Sequence, residues 1–149
     1  MKRKQPFTFS EFKDIYSKVP RLCVDIVIKT EKGTLLILRQ NNGWENQWHL
    51  PGGTVFYHEP VKTALKRIAL EEIGIEITVG KFLGYVEYPS EVKERGFGYS
   101  VSLTFECSPK NQFKILPQTK TIKFFNKLPT NTVYKQKIFL TKKSCLTKD

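Results

Sequence analysis

PGGTVFYHEPVKTALKRIALEEIGI, residues 51–75, decides the fold. Pro60 to Ile73 reads as a helix, because proline suits a first-turn position and Gly74 a C-terminal cap. At about 100° per residue, Val61, Ala64, Leu65, Ile68 and Ala69 share one side, which predicts a helix laid on a sheet. Glu72 falls inside that apolar sector and Glu71 on its rim. A bare carboxylate is costly to bury, and the last turn carries the negative end of the helix dipole. Two acids at such a place point to a bound cation, and magnesium, which takes oxygen ligands, fits. The competing account makes Glu71 and Arg67 an ordinary i, i+4 surface salt bridge and puts Glu72 at a frayed end. Ahead of the helix, Gly52-Gly53 lets backbone approach a ligand and offers a carbonyl to a cation. Glu59, at the helix start, reads as a capping acid.

Outward from this stretch, most of the chain reads as strand. Leu22, Val24, Ile26 and Ile28 alternate with Cys23, Asp25 and Val27, Glu31-Lys32-Gly33 makes a hairpin turn, and Thr34 to Arg39 returns. Ile75–Val79, Phe82–Tyr88, Phe97–Cys107 and Thr121–Phe125 follow as strands. Ser10 is the expected cap of an N-terminal helix that carries Phe12, Ile15 and Tyr16, and Asn131–Thr141 is read as a short closing helix. One long helix among many strands implies an α+β domain, and with no repeat or linker residues 1–149 are read as a single domain. Pro89 to Gly96 forms a long charged loop of the kind active sites use; Glu91 and Glu94 there are either candidate bases or solvated tips.

Composition narrows the class of function. No stretch reaches the roughly 18 apolar residues of a membrane helix, and no apolar segment follows the basic Met1–Pro6, so no signal peptide is expected. Three widely spaced cysteines, Cys23, Cys107 and Cys145, fit reduced thiols and a cytoplasmic setting better than a disulfide framework. The net charge is +11, with ten lysines and one acid from Lys110 onward. Such a field favours polyanions such as nucleotides, diphosphates or RNA, although arginine, the better bidentate phosphate reader, is scarce there.

The spacing in residues 53–75 resembles the Nudix box, G-x5-E-x7-R-E-U-x-E-E-x-G-U with U aliphatic. Gly53, Glu59, Arg67, Ala69, Glu71, Glu72, Gly74 and Ile75 meet the pattern, while Ile68 stands where the family usually carries a glutamate. The same gap occurs in the GDP-mannose mannosyl hydrolase branch, and Arg21–Val27 and Trp48–Gly53 are similar to that branch. The resemblance implies a Nudix fold, with a mixed β-sheet sandwiched by one long catalytic helix and short terminal helices. It also implies divalent-cation-dependent hydrolysis of a nucleoside diphosphate linked to another moiety, most simply a nucleoside diphosphate sugar. Mg2+ is the implied cofactor, with Mn2+ as a substitute, and a homodimer is the implied assembly.

The carried-over roles are these: Gly52, Glu71, Glu72 and Gln118 hold metal; Arg67, Glu71 and Glu72 serve catalysis; Asp25, Arg39 and Arg67 contact substrate. Asp25 and Arg39 also have a plainer account, as an acid on an exposed sheet face and a surface arginine. Two departures accompany Ile68: the branch has arginine where Thr54 stands and a histidine base where Thr119 stands. His49 reads as structural and His58 as exposed. Two other functions stay open, a general nucleoside diphosphate-X pyrophosphatase and a non-catalytic domain that binds nucleotides or RNA.

Overall fold

The structure, a computed structural model, describes residues 6–40, 43–110 and 120–146. Among these, helix α1 spans Phe9–Tyr16, α2 Val61–Ile73, α3 Glu91–Arg95 and α4 Tyr134–Leu146. The strands are β1 Arg21–Val27, β2 Lys29–Thr30, β3 Gly33–Leu38, β4 Trp48–His49, β5 Gly52–Thr54, β6 Ile77–Tyr88, β7 Ser100–Pro109 and β8 Ile122–Phe125. One sheet runs β5-β1-β7-β6, with β1 and β7 parallel and the outer pairs antiparallel. A second sheet groups β2, β3, β4 and β8 around β3. The expected α+β architecture is what forms.

Strand β1 divides the molecule. Its even residues, Val24 and Ile26, are fully buried in one core with Ala64, Leu65, Ile68, Ala69 and Ile73 of α2. Its odd residues point the other way, since side chains alternate along a strand. Of these, Val27 joins Leu36, Trp48, Leu50 and Leu140 of α4 in a second core. The sheets thus lie between α2 and α4, with an apolar layer on each side. Toward its N-terminal end, the odd face of β1 is not covered by apolar packing and becomes the floor of a cleft.

Several element boundaries differ from the sequence expectation, each for a local reason. Thr8 caps α1 in place of Ser10, its hydroxyl accepting the Glu11 N–H at 3.2 Å. The strands expected at 75–79 and 82–88 are one strand, β6, which begins only at Ile77; two register shifts between Val79 and Gly84 interrupt the alternation without ending the ladder. The closing helix has 13 residues, as many as α2. Its buried face mixes polar and apolar residues, since Gln136 and Leu140, one turn apart, are both buried. Residues 89–96 are not a free loop, since α3 forms there and Glu91 is buried.

Candidate functional site

The cleft has a volume of about 360 Å³ and is bounded by β1, β5, β7, the C-terminal half of α2 and the start of α4. Arg21, Cys23 and Asp25 line it along β1 and pair in register with Ser100, Ser102 and Thr104 of β7. Strand β5 is short and lies at the sheet edge, so α2 reaches past it and brings Arg67, Ile68, Glu71 and Glu72 to the same cavity.

The two glycines of β5 are there for space. A Cβ on Gly52 would sit 2.2 Å from Asp25 Oδ1, and one on Gly53 would sit 3.3 Å from Ile68 Cδ1. Gly52 faces Asp25 in the ladder, while the pairing bonds on either side run from the Ile26 N–H to the Pro51 carbonyl and from the Val55 N–H to the Leu22 carbonyl. That alternation turns the Gly52 N–H and carbonyl away from β1. The N–H is directed at the Glu72 carboxylate.

Glu72 meets solvent at the cleft mouth, yet the walls strip enough water from its carboxylate to push its pKa up to about 7. Arg39 pulls the value down, and the Asp25 and Glu71 carboxylates raise it further. Beside it, Glu71 Oε2 accepts from Arg67 Nη1 at 3.0 Å. Its other oxygen, Oε1, is buried and has no hydrogen-bond partner. The i, i+4 salt bridge is therefore real but uses only half of the carboxylate.

An orphaned carboxylate oxygen, a second carboxylate that burial and two acidic neighbours keep short of compensating positive charge, and an outward-turned glycine carbonyl form a donor set that suits a divalent cation. Among the described residues no three His, Cys, Asp or Glu side chains converge as a ready-made metal cluster. Two carboxylates and a carbonyl are nonetheless the sparse oxygen set that magnesium accepts, with water and substrate phosphates completing its shell. Gln118, the fourth expected ligand, and Thr119 lie outside the described residues.

Arg67 is a brace. Its guanidinium donates to Glu59 Oε2 at 2.8 Å, Glu59 Oε1 at 3.0 Å, the Thr54 carbonyl at 2.8 Å and Glu71, and it stacks 3.9 Å from the Phe56 ring centroid. Four of its five N–H donors are thereby engaged. Glu59 does not cap α2, whose N-cap, Pro60, has no side-chain cap bond. Its buried carboxylate instead turns back to Arg67 and accepts the Phe56 N–H at 3.1 Å. The bidentate fork of arginine outcompetes a solvent-exposed cap.

Asp25 is not on an exposed face; it is 6% exposed on the cleft floor, and burial pushes its pKa up to about 6. The Tyr88 hydroxyl donates to it at 3.0 Å and accepts from Gln136 Nε2 at 2.9 Å. Gln136 Oε1 in turn accepts the Leu50 N–H at 2.7 Å, just ahead of Pro51-Gly52. This chain, which ties α4 to the β5 turn, is absent from the sequence reading. Tyr88 carried a weak signal as the end of a strand, and Gln136 carried none. Arg39 lies just beyond β3, with its guanidinium 5.4 Å from the Trp44 ring centroid. His49 is half-buried, shares a 2.7 Å hydrogen bond with the Leu50 carbonyl and is pushed down to about 4 by burial, so it is neutral and structural. His58 is exposed.

Of the loop acids, Glu91 is locked in place. It accepts from Arg21 Nη2 at 2.7 Å, Arg95 Nη1 at 3.0 Å and the Ser100 hydroxyl at 2.6 Å. Burial alone would raise its pKa, but Arg21, Ser100 and Arg95 together hold it below the ordinary value. It is unavailable as a base, and Glu94 accepts the Trp44 N–H at 3.2 Å. Cys23 and Cys107 are free thiols, pushed up by burial to about 12 and about 11 respectively. Both are therefore thiols, not thiolates, at neutral pH.

Helix, edge strand, paired glycines and paired carboxylates define an α+β domain with a cleft walled by acids and arginines. The NUDIX domain family model matches residues 19–138, and the chain belongs to that family. It is 42% identical over 78 residues to the low-salt glycan biosynthesis protein Agl8 of Haloferax volcanii, a match covering 52% of this chain and 50% of that protein. It is 34% identical over 86 residues to an ADP-ribose pyrophosphatase of Methanocaldococcus jannaschii, covering 58% of this chain and 49% of that one. The matched stretches thus span about half the length of these relatives. Among solved structures, a MutT NUDIX hydrolase from Burkholderia pseudomallei superposes with a TM-score of 0.63 at 22% identity, covering 83% of this chain and 98% of that chain. No described helix is long and apolar enough to cross a membrane.

Proposed function

We propose that this domain hydrolyses a nucleoside diphosphate linked to a sugar, with a divalent cation held by Glu71, Glu72 and the Gly52 carbonyl. The observation that carries the reading is the unpartnered Glu71 Oε1 beside Glu72 and Gly52, on a cleft that also presents Arg39. When bound, the cation supplies Lewis-acid stabilisation of charge on the diphosphate. Arg39 faces the same diphosphate as a fixed positive charge, and Arg67 keeps Glu71 in place. Asp25, held by Tyr88, accepts a hydroxyl of the sugar.

Ile68 bears on which atom is attacked. It is 2% exposed and packed between α2 and Gly53, so α2 offers no base at that position. This favours attack at the sugar carbon. Water bonds to that carbon, the carbon–oxygen bond to the diphosphate breaks, the electron pair leaves with the diphosphate and the water's proton goes to solvent. The relative named for glycan biosynthesis supports a sugar-linked substrate.

Product analysis in ¹⁸O-labelled water, over a panel of nucleoside diphosphate sugars with Mg2+, tests the reading. Label in the sugar is expected; label in phosphate transfers the assignment to pyrophosphatase chemistry. Glu72→Gln should abolish cation-dependent turnover, and activity within a few-fold of the parent protein would remove the metal assignment. The same buried Ile68 favours one second reading, a domain that binds nucleotides without turning them over. Tight binding with no release of diphosphate at any pH up to about 9 would establish it.

A further inference from the structure

The cleft holds a second charged group that the cation chemistry leaves unused. Arg21 projects from β1 at the far end of the floor from Asp25, and Arg95 from α3. Both guanidiniums share one carboxylate oxygen, Glu91 Oε1, at 2.7 and 3.0 Å. One carboxylate oxygen is thus divided between two cations, and Arg39 stands close enough to add to their field. The pair is rigidly mounted: Arg21 Nη1 donates to the Thr54 hydroxyl at 2.9 Å, and both guanidiniums lie 5.4 Å from the Phe12 ring centroid. Arg21 Nε is buried with no hydrogen-bond partner. Glu91 takes one N–H of Arg95, Nη1, so further donors of that guanidinium remain for a ligand anion.

We propose that Arg21 and Arg95 form an anion subsite for a second negative group of the substrate, a phosphate or a carboxylate beyond the phosphate at the cation. The placement follows from the strand. Thr54, which Arg21 holds, lies two residues from Gly52, a separation of about 6.6 Å along β5. A group bound there is the next anion along a ligand anchored at Gly52 and Glu72. Glu91 is the positioning residue that keeps the two guanidiniums together. This inference rests on the nucleotide reading of the same cleft, but its test does not need turnover.

The test begins with inorganic pyrophosphate, titrated by calorimetry in EDTA and about 0.2 M salt, where the surface lysine field is screened. The parent protein is expected to bind it. Arg95→Gln, which leaves Glu91 paired with Arg21, should weaken binding at least tenfold, and Arg95→Lys should recover part of the loss. Lys142→Gln, an equal charge change on the exposed surface, should stay within twofold. Equal affinities for Arg95→Gln and the parent protein, with unchanged thermal melts, would overturn the subsite. So would an equal loss in Lys142→Gln. UDP-glucose, UDP-glucuronate and UTP then separate the sources: preference for UDP-glucuronate assigns a sugar carboxylate, and preference for UTP a third phosphate. Equal binding of all three, or of none, overturns the assignment to a second group. Loss of turnover in Glu72→Gln with pyrophosphate binding intact would separate the two proposals.

Discussion

Residue 68 shows how one side chain can redirect a site. An isoleucine there closes the seam between α2 and the Gly53 backbone, and the cleft loses an acid in exchange for a packed floor. Replacing it with glutamate is expected to cost about 3 kcal/mol in metal-free protein, the order found for an uncompensated buried charge. Because Ile68 also lines the cleft next to Glu71 and Glu72, Mg2+ should recover much of that loss. The check is a pair of urea melts of Ile68→Glu, with EDTA and with Mg2+. A loss that Mg2+ leaves unchanged would place residue 68 out of reach of the cation. Positions such as Glu71, Glu72 and Gly52 were legible in the sequence, because carboxylates in the apolar sector of a helix and a double glycine contradict their local setting. Glu91 was not legible: an acid in a charged segment looks solvated until Arg21, 70 residues away, is seen to reach it. The plainer account of Asp25, an exposed sheet face, fails for a related reason, since strand alternation tells which face a residue is on and not whether that face is covered.

At the scale of elements, α2 was readable because its face repeats cleanly and its ends are marked by Pro60 and Gly74, the latter left-handed at φ 68°. Helix α4 was readable only in part. It buries a glutamine among its apolar contacts, so its length and its bearing on the cleft depend on a partner in β4–β5 rather than on its own pattern. That glutamine is what joins the elements: with Tyr88 it connects α4, β6, β1 and the turn before β5. Gln136→Leu keeps the volume but leaves the buried Leu50 N–H without its acceptor. A loss of roughly 2 kcal/mol is expected, the cost of an unsatisfied buried donor. It should show as a lower urea midpoint at unchanged slope. Lys135→Leu, one position earlier and exposed, should move stability by no more than about 0.5 kcal/mol. Equal effects of the two would mean that the Gln136 chain does not hold α4 to the turn.

For the whole molecule, charge is the property that single elements do not explain. The arginines that face the cleft are few and largely engaged, whereas lysines are spread over the C-terminal third, with Lys127, Lys135 and Lys142 exposed. These two populations do different physical work. Partly buried guanidiniums act at contact distance and are weakly screened, while exposed ammonium groups act through the long-range field, which salt collapses to about 10 Å at 0.1 M. The lysines should therefore govern how fast an anionic ligand arrives, and the cleft how tightly it stays. A triple Lys127→Gln, Lys135→Gln, Lys142→Gln variant is expected to slow association of a nucleoside diphosphate sugar roughly threefold at low ionic strength, with its dissociation rate unchanged. At about 0.5 M salt the variant and the parent protein should converge, because the field being removed is already screened. Stopped-flow fluorescence of Trp44, which lines the cleft, reads both rates. A difference that persists at high salt, or that falls on dissociation, would place these lysines in contact with the ligand and make the cleft larger than the walls described.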